Sequence, residues 1–213
     1  MLSIAILASV AVGVLWLVLY MFSQKAVTTV QSLIHQGRYQ DAVDEADRAL
    51  ASNSSNATTH LHRAEALKLL GRFEESFSSY QEAITFRKGD AASREGAALA
   101  RAHQGRELGD ARRLMEETLA QYPEIQEFQA LSLAYILLRD GRRDEALRLF
   151  EDNLVLLQTR FEFDYTDRDP LLAETIYIYS ELSRESGDVT RANALRKMVR
   201  EYAPGSIFAE WSV

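Results

Sequence analysis

Five short strings punctuate the chain at a near-constant interval, and they constrain its fold more than any other feature. They are Gln36-Gly37-Arg38-Tyr39, Leu70-Gly71-Arg72-Phe73, Gln104-Gly105-Arg106-Glu107, Asp140-Gly141-Arg142-Arg143 and Ser186-Gly187-Asp188-Val189. Their glycines are 34, 34, 36 and 46 residues apart. A period of about 34 residues is that of a repeated helix–turn–helix unit. Each glycine is expected to end a helix in the left-handed conformation, which costs glycine little, with the next helix starting two or three residues on.

The residues after each turn fit that picture. A small side chain follows at Ala42, Ser76, Ala111, Ala146 and Ala192, where two helices of a pair must approach closely. Seven residues later, on nearly the same face, stand Ala49, Ala83, Thr118, Asn153 and Val199. The periodicity predicts helix pairs at 24–36 with 39–52, 57–70 with 73–87, 90–104 with 108–121, 125–139 with 142–159, and 170–185 with 189–202. Asp90 is the expected N-cap of the third pair, and Pro170 suits the first turn of the fifth. The longer fourth interval is assigned to a long helix through Leu157 and a loop at Arg160–Asp169.

This pattern resembles the tetratricopeptide repeat family. The resemblance rests on Ala64, Leu67, Gly71, Phe73, Tyr80 and Ala83 in the second repeat, and on Leu133, Ala134, Leu137, Gly141, Ala146 and Phe150 in the fourth. It runs from about Ala26 to Pro204. The family's aromatic near the start of the first helix is replaced by His60, Arg94, Ala130 and Ile176, and the third repeat has one extra residue between Gly105 and Ala111. The resemblance implies an all-α, TPR-like α-solenoid of about five helix pairs over 25–205, followed by a tail at 206–213.

Ahead of the repeats lies an apolar run. From Leu2 to Phe22 no residue is charged, and only Ser3, Ser9 and Tyr20 carry a hydroxyl. A helix of that length spans roughly 31 Å, close to the hydrocarbon thickness of a bilayer. Trp16 and Tyr20 sit where amphipathic rings prefer the headgroup region. A cleaved signal peptide would carry basic residues before a shorter apolar stretch, and no Lys or Arg precedes this one. The expectation is a single transmembrane helix within 1–24. Lys25 follows it, which places the repeats on the cytoplasmic side by the positive-inside tendency. Only Ser23 and Gln24 separate the run from Lys25, so span and first repeat helix are expected to be nearly continuous.

Charge and composition exclude several functions. The net charge is −7, and no basic stripe is present to neutralise a nucleic-acid backbone. The four histidines, His35, His60, His62 and His103, show no metal-ligand spacing, and there is no cysteine. The glycines are accounted for by turns, and no catalytic motif appears. The chain is therefore expected to be no enzyme and to need no cofactor.

A binding role is the better expectation. The resemblance implies a concave face lined by the first helix of each repeat. Carried over residue by residue, the inner positions are Phe128, Leu131, Tyr135, Leu138 and Arg139 in the fourth repeat, and Glu174, Tyr177, Glu181, Arg184 and Glu185 in the fifth. In the second they are Thr58, Leu61, Glu65, Lys68 and Leu69. The helix from Ala130 to Leu138 is apolar almost all round and must be covered all round. Three covers are open: a partner segment lying on Phe128, Leu131, Tyr135, Leu138, Arg139 and Tyr177, the chain's own loop Phe161–Tyr165 or tail Ile207–Trp211, or ordinary core packing. The chaperone-carboxylate clamp found in part of the family is disfavoured, because Val27, Gln31, Leu61 and Glu65 stand at its positions. Two functions follow: a membrane-anchored interaction scaffold, adaptor or assembly factor for membrane or envelope proteins, or a permanent accessory subunit of a membrane complex.

Overall fold

The computed structural model describes residues 25–88, 90–123, 126–163 and 169–213. Residues 2–22, on which the expected membrane span falls, lie outside the described residues. Among the described residues no helix is long and apolar enough to cross a membrane.

The described chain is helical throughout. Helix α1 (25–35) pairs with α2 (Tyr39–Ser52). Then come α3 (Ala57–Leu69) with α4 (Phe73–Phe86), α5 (Ala91–Gln104) with α6 (Leu108–Gln121), and α7 (Gln126–Arg139) with α8 (Arg143–Phe163). A 3₁₀ turn (Pro170–Leu172) leads into α9 (Ala173–Glu185), α10 (Val189–Tyr202) and a short α11 (Ile207–Trp211). Consecutive pairs stack through α2 on α3, α4 on α5 and α6 on α7, while the first helices α3, α5, α7 and α9 form a second, inner layer. The fifth pair breaks the pattern, because α9 docks chiefly on α7 and only lightly on α8.

The five glycines end their helices in the same way. Their φ angles lie between 66° and 95°. At Gly71 the glycine N–H donates to Lys68 O at 2.9 Å and the Arg72 N–H to Leu67 O at 2.9 Å. The same paired bonds recur at Gly37, Gly105, Gly141 and Gly187, closing helix-end carbonyls that would otherwise be orphaned. The extra residue of the third repeat is absorbed at Glu107, the one described non-glycine residue with positive φ, at 49°. That left-handed step costs something in a residue with a Cβ, but it returns α6 to register, with Ala111 buried.

The small residues sit where close approach demands them. Ala42, Ser76, Ala146 and Ala192 are at most 1 % exposed. Ser76 also donates its hydroxyl to Ala64 O at 2.8 Å, so its polar atom is satisfied in the core. A close approach outside the repeat register occurs at Gly96 on α5, where the Tyr80 ring of α4 lies on the backbone. A Cβ built there would stand 2.2 Å from Tyr80 Cζ.

The structure moves some expected boundaries. Helix α8 continues to Phe163, so Phe161, Glu162 and Phe163 are helical rather than part of a loop beginning at Arg160. Residues 164–168 lie outside the described residues. Asp90 holds the N-cap position of α5, but its side chain makes no capping bond and instead accepts from the Ser93 hydroxyl at 2.6 Å. Pro170 opens a 3₁₀ turn capped by Asp169, which accepts from Leu171 N at 2.9 Å. The tail at 206–213 contains the helix α11.

Two glycines on helices should respond oppositely to the same change. Gly96→Ala gains about 0.5–1 kcal/mol of helix propensity, but overpacking against Tyr80 costs about 1–3 kcal/mol, so net destabilisation is expected. Gly109 has no atom within 4 Å of its built Cβ, and Gly109→Ala should stabilise by about 0.4–1 kcal/mol. Ala146→Leu should overpack the α7–α8 contact by about 1–3 kcal/mol. Denaturant unfolding of the three variants checks the register, and equal midpoints would refute it.

Candidate functional site: the inner face and its polar cluster

Each inner helix delivers a polar side chain to one cluster. Helix α3 supplies Lys68, α5 His103, α7 Tyr135 and Arg139, and α9 Glu174. All but His103 stand at positions that the repeat register assigns to the concave face. Glu174 is the hub. One carboxylate oxygen accepts from Lys68 Nζ and the other from His103 Nε2 at 2.8 Å. The opposite His103 nitrogen, Nδ1, lies 3.1 Å from the Tyr135 hydroxyl. That hydroxyl in turn accepts from Arg139 Nη1 at 3.0 Å.

The pattern fixes its own protonation. An ionised carboxylate only accepts, so His103 carries its proton on Nε2 and takes the Tyr135 O–H at Nδ1. Burial alone would raise the Glu174 pKa, but the Lys68 ammonium and the His103 N–H outweigh it and hold the carboxyl down at about 2. Burial would lower the Lys68 pKa, yet Glu174 outweighs that and the pKa is raised. Burial dominates at His103, whose pKa is lowered, so the imidazole is neutral. Every donor and acceptor named is engaged, which leaves His103 no lone pair for a substrate.

Two further groups border the cluster. Tyr80 places its ring 5.7 Å from Lys68 Nζ. Glu95 on α5 accepts from the Ser132 hydroxyl at 2.5 Å, and burial raises its pKa.

The remaining side of the inner face is aromatic, and the chain covers it itself. His103 stacks on Phe73 with centroids 5.0 Å apart. From α11, Phe208 and Trp211 lie 5.2 and 5.6 Å from the His103 ring. Tyr177 meets the same two rings at 5.8 and 5.5 Å, and burial pushes its pKa up to about 12. Ile207 rests on Gly71, where a built Cβ would lie 3.1 Å from Ile207 Cγ1. The second turn glycine is therefore needed twice, for its φ of 73° and for this contact.

The expected contact residues separate accordingly. Leu131 and Tyr135 are buried at 1 % and 2 % exposure, as floor rather than surface. Leu138 and Tyr177 are half-buried and Arg139 is exposed, so these three form a rim. Phe128 lies on α7, with its side chain outside the described residues. Helix α7 itself is covered by ordinary packing against α5, α6, α8 and α9, while the tail seats on α3, α9 and α10 and closes the aromatic side around His103 and Tyr177. His103 escapes the repeat-based reading because metal-ligand spacing is no guide to a histidine that serves as a hydrogen-bond relay. Its position two residues before Gly105, on an inner helix, is the available signal. Among the described residues no group of His, Cys, Asp or Glu is arranged to hold a metal. His60 bonds Ser54 O at 2.8 Å and stacks on Phe86, while His62 bonds Glu65 at 2.7 Å.

Removing one partner of a buried ion pair leaves the other unpaired, at a cost of about 3–5 kcal/mol. Lys68→Met should cost about that much in denaturant unfolding. The cluster also sets a pH response. Both Glu174 and His103 bind protons more weakly folded than unfolded, so protonation favours the unfolded chain. The His103 contribution is complete above the unfolded histidine pKa of about 6.5 and fades as pH falls below it. The Glu174 contribution is present above the unfolded carboxylate pKa of about 4.3 and fades as pH drops towards about 2. The melting temperature should therefore begin to fall below about pH 6.5, and His103→Gln should remove that first portion of the decline.

Comparison with known proteins agrees with this architecture. A tetratricopeptide repeat family model matches residues 28–93. No curated protein matches the chain. A thermophilic TPR protein of Thermus thermophilus is similar in structure, with TM-score 0.62 and 18 % identity over 85 % of this chain and 92 % of that one. A TPR protein described as having an unusual peptide-binding site, YrrB, gives TM-score 0.51 and 15 % identity over 88 % and 89 %. The second TPR domain of human RPAP3, solved with an HSP70 peptide, gives TM-score 0.52 and 21 % identity over 55 % of this chain and 97 % of that domain. The chain has the fold of a tetratricopeptide-repeat α-solenoid, and its residues 28–93 carry the family's sequence pattern.

Proposed function

We propose that the protein is a membrane-tethered interaction scaffold, an adaptor or assembly factor that holds other proteins at the bilayer, and that it is no enzyme. One observation carries this reading. Tyr177 walls an aromatic groove on the inner face of a TPR-type solenoid, and that groove holds a short helix. A fold whose inner face seats a helix suits peptide recognition by helix-in-groove packing. The apolar run at 2–22 supports the tether, and Lys25 supports a cytoplasmic repeat domain. Partners embedded in or bound to the membrane suit an array whose first repeat follows that run in sequence after only Ser23 and Gln24.

A specific observation favours a second reading. Lys68 and Glu174, 106 residues apart, tie the second repeat to the fifth, so the solenoid is braced rather than springy. A braced array with its groove already filled suits a permanent accessory subunit that presents its outer surfaces to a membrane complex.

Mild-detergent purification of the full chain separates the two. A scaffold is recovered with partners that wash off in salt, whereas a subunit is recovered with stoichiometric, salt-resistant membrane proteins. Arg139→Glu reverses an exposed charge and should reduce partner capture at least tenfold; because it also removes the bond to the Tyr135 hydroxyl, retention of the fold is checked by circular dichroism. Undiminished capture would remove the rim from the binding surface. Protease treatment of sealed vesicles should degrade the repeats only when added to the cytoplasmic side.

A further inference from the structure

We propose that the seat of α11 is a groove for a short helix of a partner protein, and that residues 206–213 are its internal occupant. The proposal rests on the scaffold reading and adds the chemistry of the recognised segment.

The way α11 is held supports exchange. Its own polar groups close on one another: Ser206 Oγ accepts from Ala209 N at 3.2 Å, and the Ser212 hydroxyl donates to Phe208 O at 2.7 Å. Towards the body, Arg200 donates to the Ser212 carbonyl. The remaining attachment is apolar and aromatic. The cluster of Lys68, His103, Tyr135, Arg139 and Glu174 is satisfied without any atom of α11. Replacing α11 by a similar helix therefore leaves no member of that cluster unpaired.

The seat reads a definite pattern. An N-capping hydroxyl comes first, as at Ser206. An aliphatic side chain follows, because Ile207 meets a glycine that offers no Cβ. Next is an aromatic residue, as at the fully buried Phe208, and then a small one, since Ala209 is 8 % exposed. The following position is free, as Glu210 is exposed. A second aromatic closes the face, where Trp211 meets Phe73, His103 and Tyr177. The partner is thus a helix of the form Ser/Thr–aliphatic–aromatic–small–any–aromatic.

The internal occupant is a built-in competitor. So short a helix cannot sustain itself in water, so α11 exists only while seated. It is tethered to α10 through Ala203–Ser206, with Gly205 left-handed at φ 79°. A short tether gives an effective concentration of the order of millimolar. A partner must exceed that, so weak binders are excluded while α11 is seated.

Three measurements on the full chain in detergent micelles test this. Amide hydrogen exchange at Ala209–Ser212 should be at least tenfold faster than at Leu195–Val199 of α10, and equal protection would overturn the proposal. A fluorescent peptide of residues 204–213 should bind the F208A/W211A variant at least tenfold more tightly than the wild-type chain. Adding Tyr177→Asp should abolish that binding. Absent or equal binding by a variant that keeps its helical circular dichroism would sink the idea; should the variant unfold, the exchange measurement on the wild-type chain decides. Energy transfer between differently labelled copies checks the other occupant, and exchange of α11 between copies would overturn the assignment to a partner protein. Partner capture that Arg139→Glu abolishes but F208A/W211A leaves unchanged would refute the groove and spare the scaffold reading. Peptide binding without partner capture by any variant would do the reverse.

Discussion

The described structure depends on one carboxylate. Glu174 accepts from Lys68 of the second repeat and His103 of the third while it sits in the fifth. A solenoid is ordinarily held by contacts between neighbours in sequence, and its stability is close to a sum over them. Here one buried group spans three inner helices and passes over the fourth repeat to reach them. Desolvating such a charge is expensive, and only a full set of partners offsets it. The two carboxylate oxygens have theirs, and the neutral His103 passes the network on through Tyr135 to Arg139 at the rim.

This brace explains why the fifth pair is placed as it is. Helix α9 meets its in-line neighbour α8 through Arg143–Glu185 and Phe150–Tyr179 but leans more on α7, and its Glu174 reaches α5 and α3. The same tilt brings Tyr177 to Phe208 and Trp211, the latter also against Phe73, and completes the walls that receive both rings. Polar cluster and aromatic groove are two sides of one arrangement, joined at the imidazole of His103. Its nitrogens serve the cluster and its faces serve the groove.

Much of the fold is legible because it is local. Gly37, Gly71, Gly105, Gly141 and Gly187 each end a helix for a reason internal to a few residues, so their spacing sets the register and places the small residues correctly. Boundaries slip where local signals are weak, as at Arg160–Phe163, which continue α8 instead of opening a loop, whereas Asp90 keeps its N-cap position with its carboxylate turned to Ser93. The site is only half legible. The register puts Lys68, Glu174, Tyr135, Arg139 and Tyr177 on the inner face. It carries nothing about which of them meet, because the pairing of Lys68 with Glu174 follows from the accumulated rotation of three repeats. Tyr135 reads as surface since His103, which takes its hydroxyl proton, stands 32 residues away in the chain. Gly96 gives no signal of its own because its partner Tyr80 belongs to the preceding repeat.

The reach of the Lys68–Glu174 pair also bears on synthesis. Helix α3 leaves the ribosome with a lysine whose counter-charge is 106 residues away in the chain. At roughly 5–20 residues per second, the first three helix pairs have several seconds to fold before Glu174 is made. For that interval Lys68 and the rings of Phe73 and His103 face water. The repeats can stack one after another as they emerge, yet the inner face closes in a separate and later step. A nascent form of this protein is therefore an open array with an uncovered aromatic strip, a different object from the braced one that α9 and α11 complete.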